Sequence, residues 1–203
     1  MKKLFILFGI LLISATATQA QLLHNMYGVS WEVSFPVGKS FVSSSSFLGG
    51  KFDYRHFIKR NISLGVTLGW NNYEEYVSRE TYENADQTQA VTTDNQRFIF
   101  NLPMTVDGFY YFEYGKHIRP FVGLGLGAQY SSQEAYFNIF LIEDKNWGFV
   151  ARPQIGAYIP FSEYNHNGFL LAAGYNFATN KNESFRINNM QSFWVSIGIG
   201  FTN

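Results

Sequence analysis

A chain of 203 residues, 46% hydrophobic and 19% aromatic, with 15 basic side chains against 15 acidic ones, is long enough for one domain of ordinary size. It has no cysteine, which excludes a disulfide framework and lipoprotein acylation. Its even charge excludes the basic surface that nucleic-acid binding requires. The 13 Tyr and 21 Phe lean towards β structure.

The N-terminus reads as a secretory signal peptide over residues 1–20. Lys2 and Lys3 precede an apolar run from Leu4 to Ile13, and Thr18 and Ala20 supply the small residues for cleavage before Gln21. The run is too short for a helix to cross a hydrocarbon core that needs about 20 residues, and no other stretch could span as a helix. Cleavage leaves residues 21–203, with 13 basic and 15 acidic side chains, beyond the inner membrane.

The first predicted strand, Tyr27 to Phe35, puts Tyr27, Val29, Trp31, Val33 and Phe35 on one face and Gly28, Ser30, Glu32 and Ser34 on the other. A turn-rich stretch from Pro36 to Ser46 follows, its serine run reading as a flexible loop. The second strand, Leu48 to His56, faces Lys51, Asp53 and Arg55 away from Phe52, Tyr54 and His56. Lys59 to Asn61 turn the chain into the third strand, Ile62 to Trp70, where Leu64, Val66 and Leu68 oppose Ser63, Gly65, Thr67 and Gly69. Residues 71–95 are too polar for a membrane wall and read as the longest loop, able to extend the hairpin beyond the membrane.

The fourth strand, Phe98 to Phe112, alternates Phe100, Leu102, Met104 and Val106 with Asn101, Pro103, Thr105 and Asp107. It ends in Tyr110, Tyr111, Phe112 and Tyr114, an aromatic cluster suited to a membrane interface. The fifth, Phe121 to Tyr130, sets Val122, Leu124, Leu126 and Ala128 against Gly123, Gly125 and Gly127. A second polar connection, residues 131–146, leads to the sixth, Trp147 to Ile159, with Arg152 and Gln154 inward and Pro153 predicting a bulge or a lost ladder bond. The seventh is Phe169 to Phe177, and residues 178–191 form the last loop. The eighth, Phe193 to Phe201, places Phe193, Val195, Ile197, Ile199 and Phe201 on one face and Trp194, Ser196, Gly198 and Gly200 on the other.

Large residues outward and small ones inward, eight times over, predict an all-β fold: an eight-stranded antiparallel up-and-down transmembrane β-barrel closed by its last strand. Lipid offers no hydrogen bonds to an open edge. Short connections alternate with long ones, which places both termini and the short turns on the periplasmic side and the long loops outside. The outward faces carry no Lys, Arg, Asp or Glu; a Lys or Arg there would cost about 2–4 kcal/mol at the midplane.

The signal peptide, the alternation over residues 26–203, the FNLPMTVDGFYYF stretch from Phe100 to Phe112 and the aromatic-ended last strand together resemble the small outer-membrane β-barrel family of Gram-negative bacteria, the porin-like, OmpA/OmpX-type barrels. Asp107 departs from that pattern, standing where a basic residue is commoner. The resemblance implies an outer-membrane address and carries no shared chemistry. The expected partners are outer-membrane lipid, the barrel-assembly machinery through the C-terminal strand, and an extracellular or periplasmic protein; the chain is expected to be a monomer.

The inward charges Glu32, Lys51, Asp53, Arg55, Asp107 and Arg152 are the sharpest candidate site. Three acids match three bases, as a closed lumen demands, because an unpaired buried charge is costly. They serve either as a structural plug or as a gate in a narrow pore. An eight-stranded barrel leaves an interior just wide enough for side chains, which favours the plug, and inward glycines would make room for the long charged groups.

The GLGLGA run, Gly123 to Ala128, matches a dinucleotide fingerprint superficially, but a helix must follow it and a strand does. His24, His56, His117 and His166 have no metal-ligand spacing, so no metal or cofactor is expected. No G-x-S-x-G elbow occurs, and a lipid-modifying barrel enzyme would need a polar cluster at a rim for which only His56 is in place. The chain is therefore expected to be a non-enzymatic barrel working through its extracellular loops. Tyr73, Glu74, Glu75, Tyr76, Arg79 and Glu80 could continue the hairpin of strands three and four and offer an edge for β-augmentation.

Overall fold

A strand with its large apolar residues on one face and its small or polar ones on the other must find a different environment for each. The computed structural model, which describes residues 25–38, 41–83, 90–112, 118–137, 140–162, 165–182, 185 and 187–202, provides both by closing eight strands into one barrel. They are β1 Asn25–Pro36, β2 Ser46–Lys59, β3 Ile62–Glu83, β4 Ala90–Tyr111, β5 Arg119–Phe137, β6 Phe140–Ser162, β7 Asn165–Ala178 and β8 Met190–Thr202. Each pairs antiparallel with the next, and β8 returns to β1 with Tyr27 opposite Phe201 and Phe35 opposite Phe193. The expected signal peptide lies outside the described residues.

The register fixes the tilt of the wall. From Leu68, facing residues lead through Met104 and Ala128 to Phe149 on β6; the other way they lead through Phe52, Val29, Ile199 and Phe169 to Ile159, a stagger of ten residues. Eight strands with such a stagger lean by about 35–45° from the barrel axis. Every residue on that path lies on the lipid face. The outward rows of Val29, Leu64, Leu124, Ile155 and Ile197 are about half exposed all round the closed wall, an apolar surface that water cannot accommodate and hydrocarbon can.

Aromatic side chains ring both ends of this belt, as membrane interfaces favour. Tyr130 packs on Trp147 with centroids 5.3 Å apart and Tyr175 on Phe193 at 4.9 Å at one end. Tyr27 packs on Tyr54 at 5.2 Å and Tyr110 on Phe112 at 5.1 Å at the other. Of the expected interfacial cluster, Tyr111 belongs elsewhere. It is 1% exposed and points inward against Phe121 and Phe57, because its position has the opposite parity to Tyr110 and Phe112. Tyr114 lies outside the described residues.

Two further expectations change in detail. Residues 71–83 and 90–95 are strand, not loop, and so are 131–137 and 140–146, so that β3 to β6 run 22, 22, 19 and 23 residues against 12 for β1 and 13 for β8. Polar side chains suit these extensions because they stand beyond the lipid. Of the two outcomes expected at Pro153, the lost ladder bond occurs and the bulge does not: the β6–β7 register is constant from Val150 to Pro160, and within that span facing pairs are missing at Arg152 and Pro153, as the lost amide donor dictates. A shift does occur between Glu32 and Ser34 opposite β2, and it leaves Phe47 and Leu48 both exposed. Past β1, Gly38 takes a φ of +88°, a left-handed conformation that favours glycine.

Inside, two apolar clusters stand apart. Met26, Phe109, Tyr111, Phe121, Tyr158, Leu170, Ala172 and Trp194 fill the end that holds the chain termini. Val42, Tyr73, Ile99, Val150, Ala178, Ile187 and Met190 fill the outer end beneath the connections from β1 and β7.

Candidate functional site

Between these clusters lies a belt of charge. Glu32 on β1, Lys51, Asp53 and Arg55 on β2, Asp107 on β4 and Arg152 on β6 all sit on inward positions and are at most 2% exposed. The alternation of each strand sends them there, and glycines opposite make the room. A Cβ on Gly28 would lie 2.6 Å from Asp53 Oδ2 and one on Gly69 2.9 Å from Arg152 Nη1, and one on Gly125 would collide with Asp107 Oδ1.

Two of the three expected ion pairs form. Arg152 Nη2 donates to both Glu32 oxygens at 2.9 Å, and Asn71 Nδ2 donates to Glu32 Oε1 at 2.9 Å. Arg55 Nε donates to Asp53 Oδ2 at 3.0 Å while its Nη1 donates to the Tyr111 hydroxyl at 2.8 Å. The third acid and base are held differently. Asp107 accepts from Thr105 Oγ1 at 3.1 and 3.2 Å, a neighbour two residues away on the same face. Lys51 Nζ has no hydrogen-bond partner among the described residues and lies 4.7 Å from the centroid of the Trp194 ring, which Arg152 also approaches at 4.7 Å.

Aromatic rings thus share the work of holding cations in this layer. The Arg55 guanidinium lies 3.9 Å from the Phe109 centroid and 4.6 Å from that of Phe121, contacts that gain strength where water is absent. Reading the inner faces as mostly small or polar understates these residues. Their signal is parity: Phe109, Tyr111, Phe121, Tyr158 and Trp194 all occupy inward positions in strands otherwise rich in inward glycine.

Above the charged layer the lumen is lined by carboxamides and hydroxyls. Asn176 Nδ2 donates to Gln129 Oε1 at 3.1 Å, Asn180 Nδ2 to Asn146 Oδ1 at 2.7 Å, and Asn182 Nδ2 to Gln133 Oε1. A cavity of about 30 Å³ remains near the outer mouth, beside Val42, Tyr73, Ile99, Asn101, Asn176 and Met190. That is room for about two water molecules. The Phe41 and Phe185 rings, 4.3 Å apart, stack beside this cap.

Beyond the outer aromatic ring β3 to β6 rise as a four-stranded sheet. Facing pairs continue to Glu83 and Ala90 between β3 and β4, to Asn95 and Phe137 between β4 and β5, and to Phe137 and Phe140 between β5 and β6. Its two edges differ. The connection after β1 lies along the β3 edge, where Ser43 donates to Glu75 and Ser46 Oγ to the Asn72 carbonyl at 2.6 Å. On the β6 edge, pairing with β7 stops at Val150, and among the described residues Thr179 and Asn180 reach that edge at Phe149 and Asn146. Leu141, Ile142 and Glu143 stand exposed beyond them. Beside them Lys145 donates to Glu143 at 2.6 Å, a hydrogen bond that raises the pKa of its ammonium. Tyr73, placed at sequence level among the edge residues, is instead 4% exposed and hydrogen-bonded to Ser34 Oγ at 2.6 Å inside the mouth.

Among the described residues no group of three or more His, Cys, Asp or Glu side chains converges, and His56 meets Asn25 Oδ1 at 3.0 Å on the outer wall. The glycine run of β5 continues as strand to Phe137. His24 and His117 lie outside the described residues, as does the His166 side chain.

No protein-family model matches the chain, and no curated protein matches it in sequence. Among solved structures it is similar to Neisserial surface protein A, at 12% identity and a TM-score of 0.53, covering 91% of this chain and 99% of that one. The N-terminal β-barrel domain of Pseudomonas aeruginosa OprF aligns at 14% identity over 90% of this chain and 100% of that one, with a TM-score of 0.46. Ail of Yersinia pestis aligns at 12% identity over 89% and 97%, also at 0.46. The likeness to the Neisserial protein is one of fold. The fold is that of the small OmpA/OmpX-type outer-membrane barrels.

Proposed function

We propose that the protein is a non-enzymatic, monomeric outer-membrane barrel, inserted by the barrel-assembly machinery through its last strand, whose lumen is a structural plug and whose working surface is the sheet raised by β3 to β6. The observation that carries this reading is the layering of the lumen: two apolar clusters close the passage on either side of a charged belt with two internal ion pairs. An ion crossing it would have to displace Trp194, Tyr111 and Phe121, each at most 1% exposed. Among the described residues the β6 edge beyond Val150 pairs with no further strand, and this supports an interaction role, because an unpaired row of backbone donors and acceptors can accept a strand from a partner.

Planar-bilayer recording tests the plug. The refolded protein and an Arg152→Ala variant, both shown to be folded by heat-modifiable gel mobility, are expected to stay silent. Steady conductance that changes with the substitution would make the belt a pore lining. The interaction role is tested by replacing residues 133–144 with a two-residue turn and comparing adhesion of cells that display each form. Unchanged adhesion counts against the sheet as the working surface.

A further inference from the structure

The outer wall is not uniform. An open groove of about 780 Å³ crosses it, lined by residues of β1 and β5 to β8 and the Phe112 ring. It follows the row of facing residues Val33, Val195, Ala173, Ile155 and Val122, and so runs perpendicular to the strands. Ala173 and the nearby Ala157 form its shallow floor, because small outward side chains there interrupt rows of Leu, Ile and Val. Trp31 stands at one end and Phe112 with Pro120 at the other, the end nearer the chain termini, which the expected polarity puts on the periplasmic side.

We propose that this groove seats one acyl chain of a phospholipid from the periplasmic leaflet. Its position within the exposed apolar belt makes hydrocarbon its surroundings. Its dimensions select a chain: four strand spacings of about 4.8 Å make it about 19 Å long. On strands leaning by about 40° it descends roughly 12 Å, close to the roughly 15 Å of a single leaflet in a core about 30 Å thick. A second barrel would present a convex wall, which meets such a groove only at its margins. A chain that lies along it contacts Ala173, Ile155 and Val195 throughout, and the walls of a groove give it more dispersion contacts than a smooth convex wall would.

The inference rests on the wall's facing lipid and not on the role given to the projecting sheet, so either can fail alone. Native mass spectrometry of the protein extracted from the outer membrane in mild detergent tests it. The wild type is expected to carry one phospholipid. Ala173→Phe, which fills the floor, is expected to lower the lipid-bound fraction at least tenfold, while Ala128→Phe, on the lipid face outside the groove, keeps it. Ala157→Leu serves as the second floor variant, and each variant is first shown to be folded by heat-modifiable mobility. Equal retention in all forms, a wild type without lipid, or a wild-type dimer that Ala173→Phe abolishes would each overturn the assignment.

Discussion

The strands β3 to β6 live under two sets of rules along their length, and the contrast between the wall and the projecting sheet separates them. Within the wall each strand is paired on both sides, its inner side chains are sealed from water and its outer ones face hydrocarbon. Beyond the outer aromatic ring the same strands pair, among the described residues, with one another alone, and Leu141 and Ile142, on opposite faces, are both exposed. Glu32 inside and Glu143 outside are chemically the same group. Inside, Glu32 needs Arg152 and Asn71 to satisfy it; outside, Glu143 has water as well as Lys145. Closure of the barrel, not the local pattern, decides what a polar side chain costs.

That contrast predicts a graded response to substitution. The largest effect is expected for Glu32→Ala, which leaves the Arg152 guanidinium buried without its carboxylate and should lower stability by about 3–5 kcal/mol. Urea unfolding in lipid vesicles measures it, and adding Arg152→Met should recover much of the loss. A wild-type midpoint for the single variant would mean that the charged belt is hydrated like the surface. Next comes Leu170→Ala in the apolar cluster at the terminal end, where the fully buried side chain should cost about 2–5 kcal/mol through the cavity it leaves; the same unfolding curves report it. Asn71→Leu removes a hydrogen bond to a buried charge and should cost about 1.5–3 kcal/mol. The smallest effect belongs to the projecting sheet. Thr81 and Thr92 share a hydrogen bond of 2.9 Å at an exposed position, and Thr81→Ala should shift stability by about 0.2–1 kcal/mol. A loss as large as that of Asn71→Leu would show that the projecting sheet folds as one unit with the wall.

Much of the wall was legible because its code is short-range. Alternate parity places Val29 outside and Ser30 inside in any barrel, so the eight strands and all six inward charges followed from spacing alone. Strand ends were not legible, since polarity marks the limit of lipid and not the limit of hydrogen bonding. Residues 131–137 read as loop for that reason, yet they keep the ladder of β5 intact. Tyr111 was misassigned by grouping it with its aromatic neighbours, although its parity already pointed inward.

The sequence by itself determined the closed, lipid-facing barrel, because strand alternation is a property of the backbone and the apolar rows can be counted along one strand at a time. Only the tertiary structure decided which charges meet. Glu32 and Arg152 are 120 positions apart, and their contact depends on the ten-residue stagger that closure sets. Lys51 and Arg152 reach the Trp194 ring, and Ala157 and Ala173 come together beneath the groove, for the same reason. Such pairings depend on how strands distant in sequence are offset when the last one returns to the first, and that offset is a property of the whole barrel.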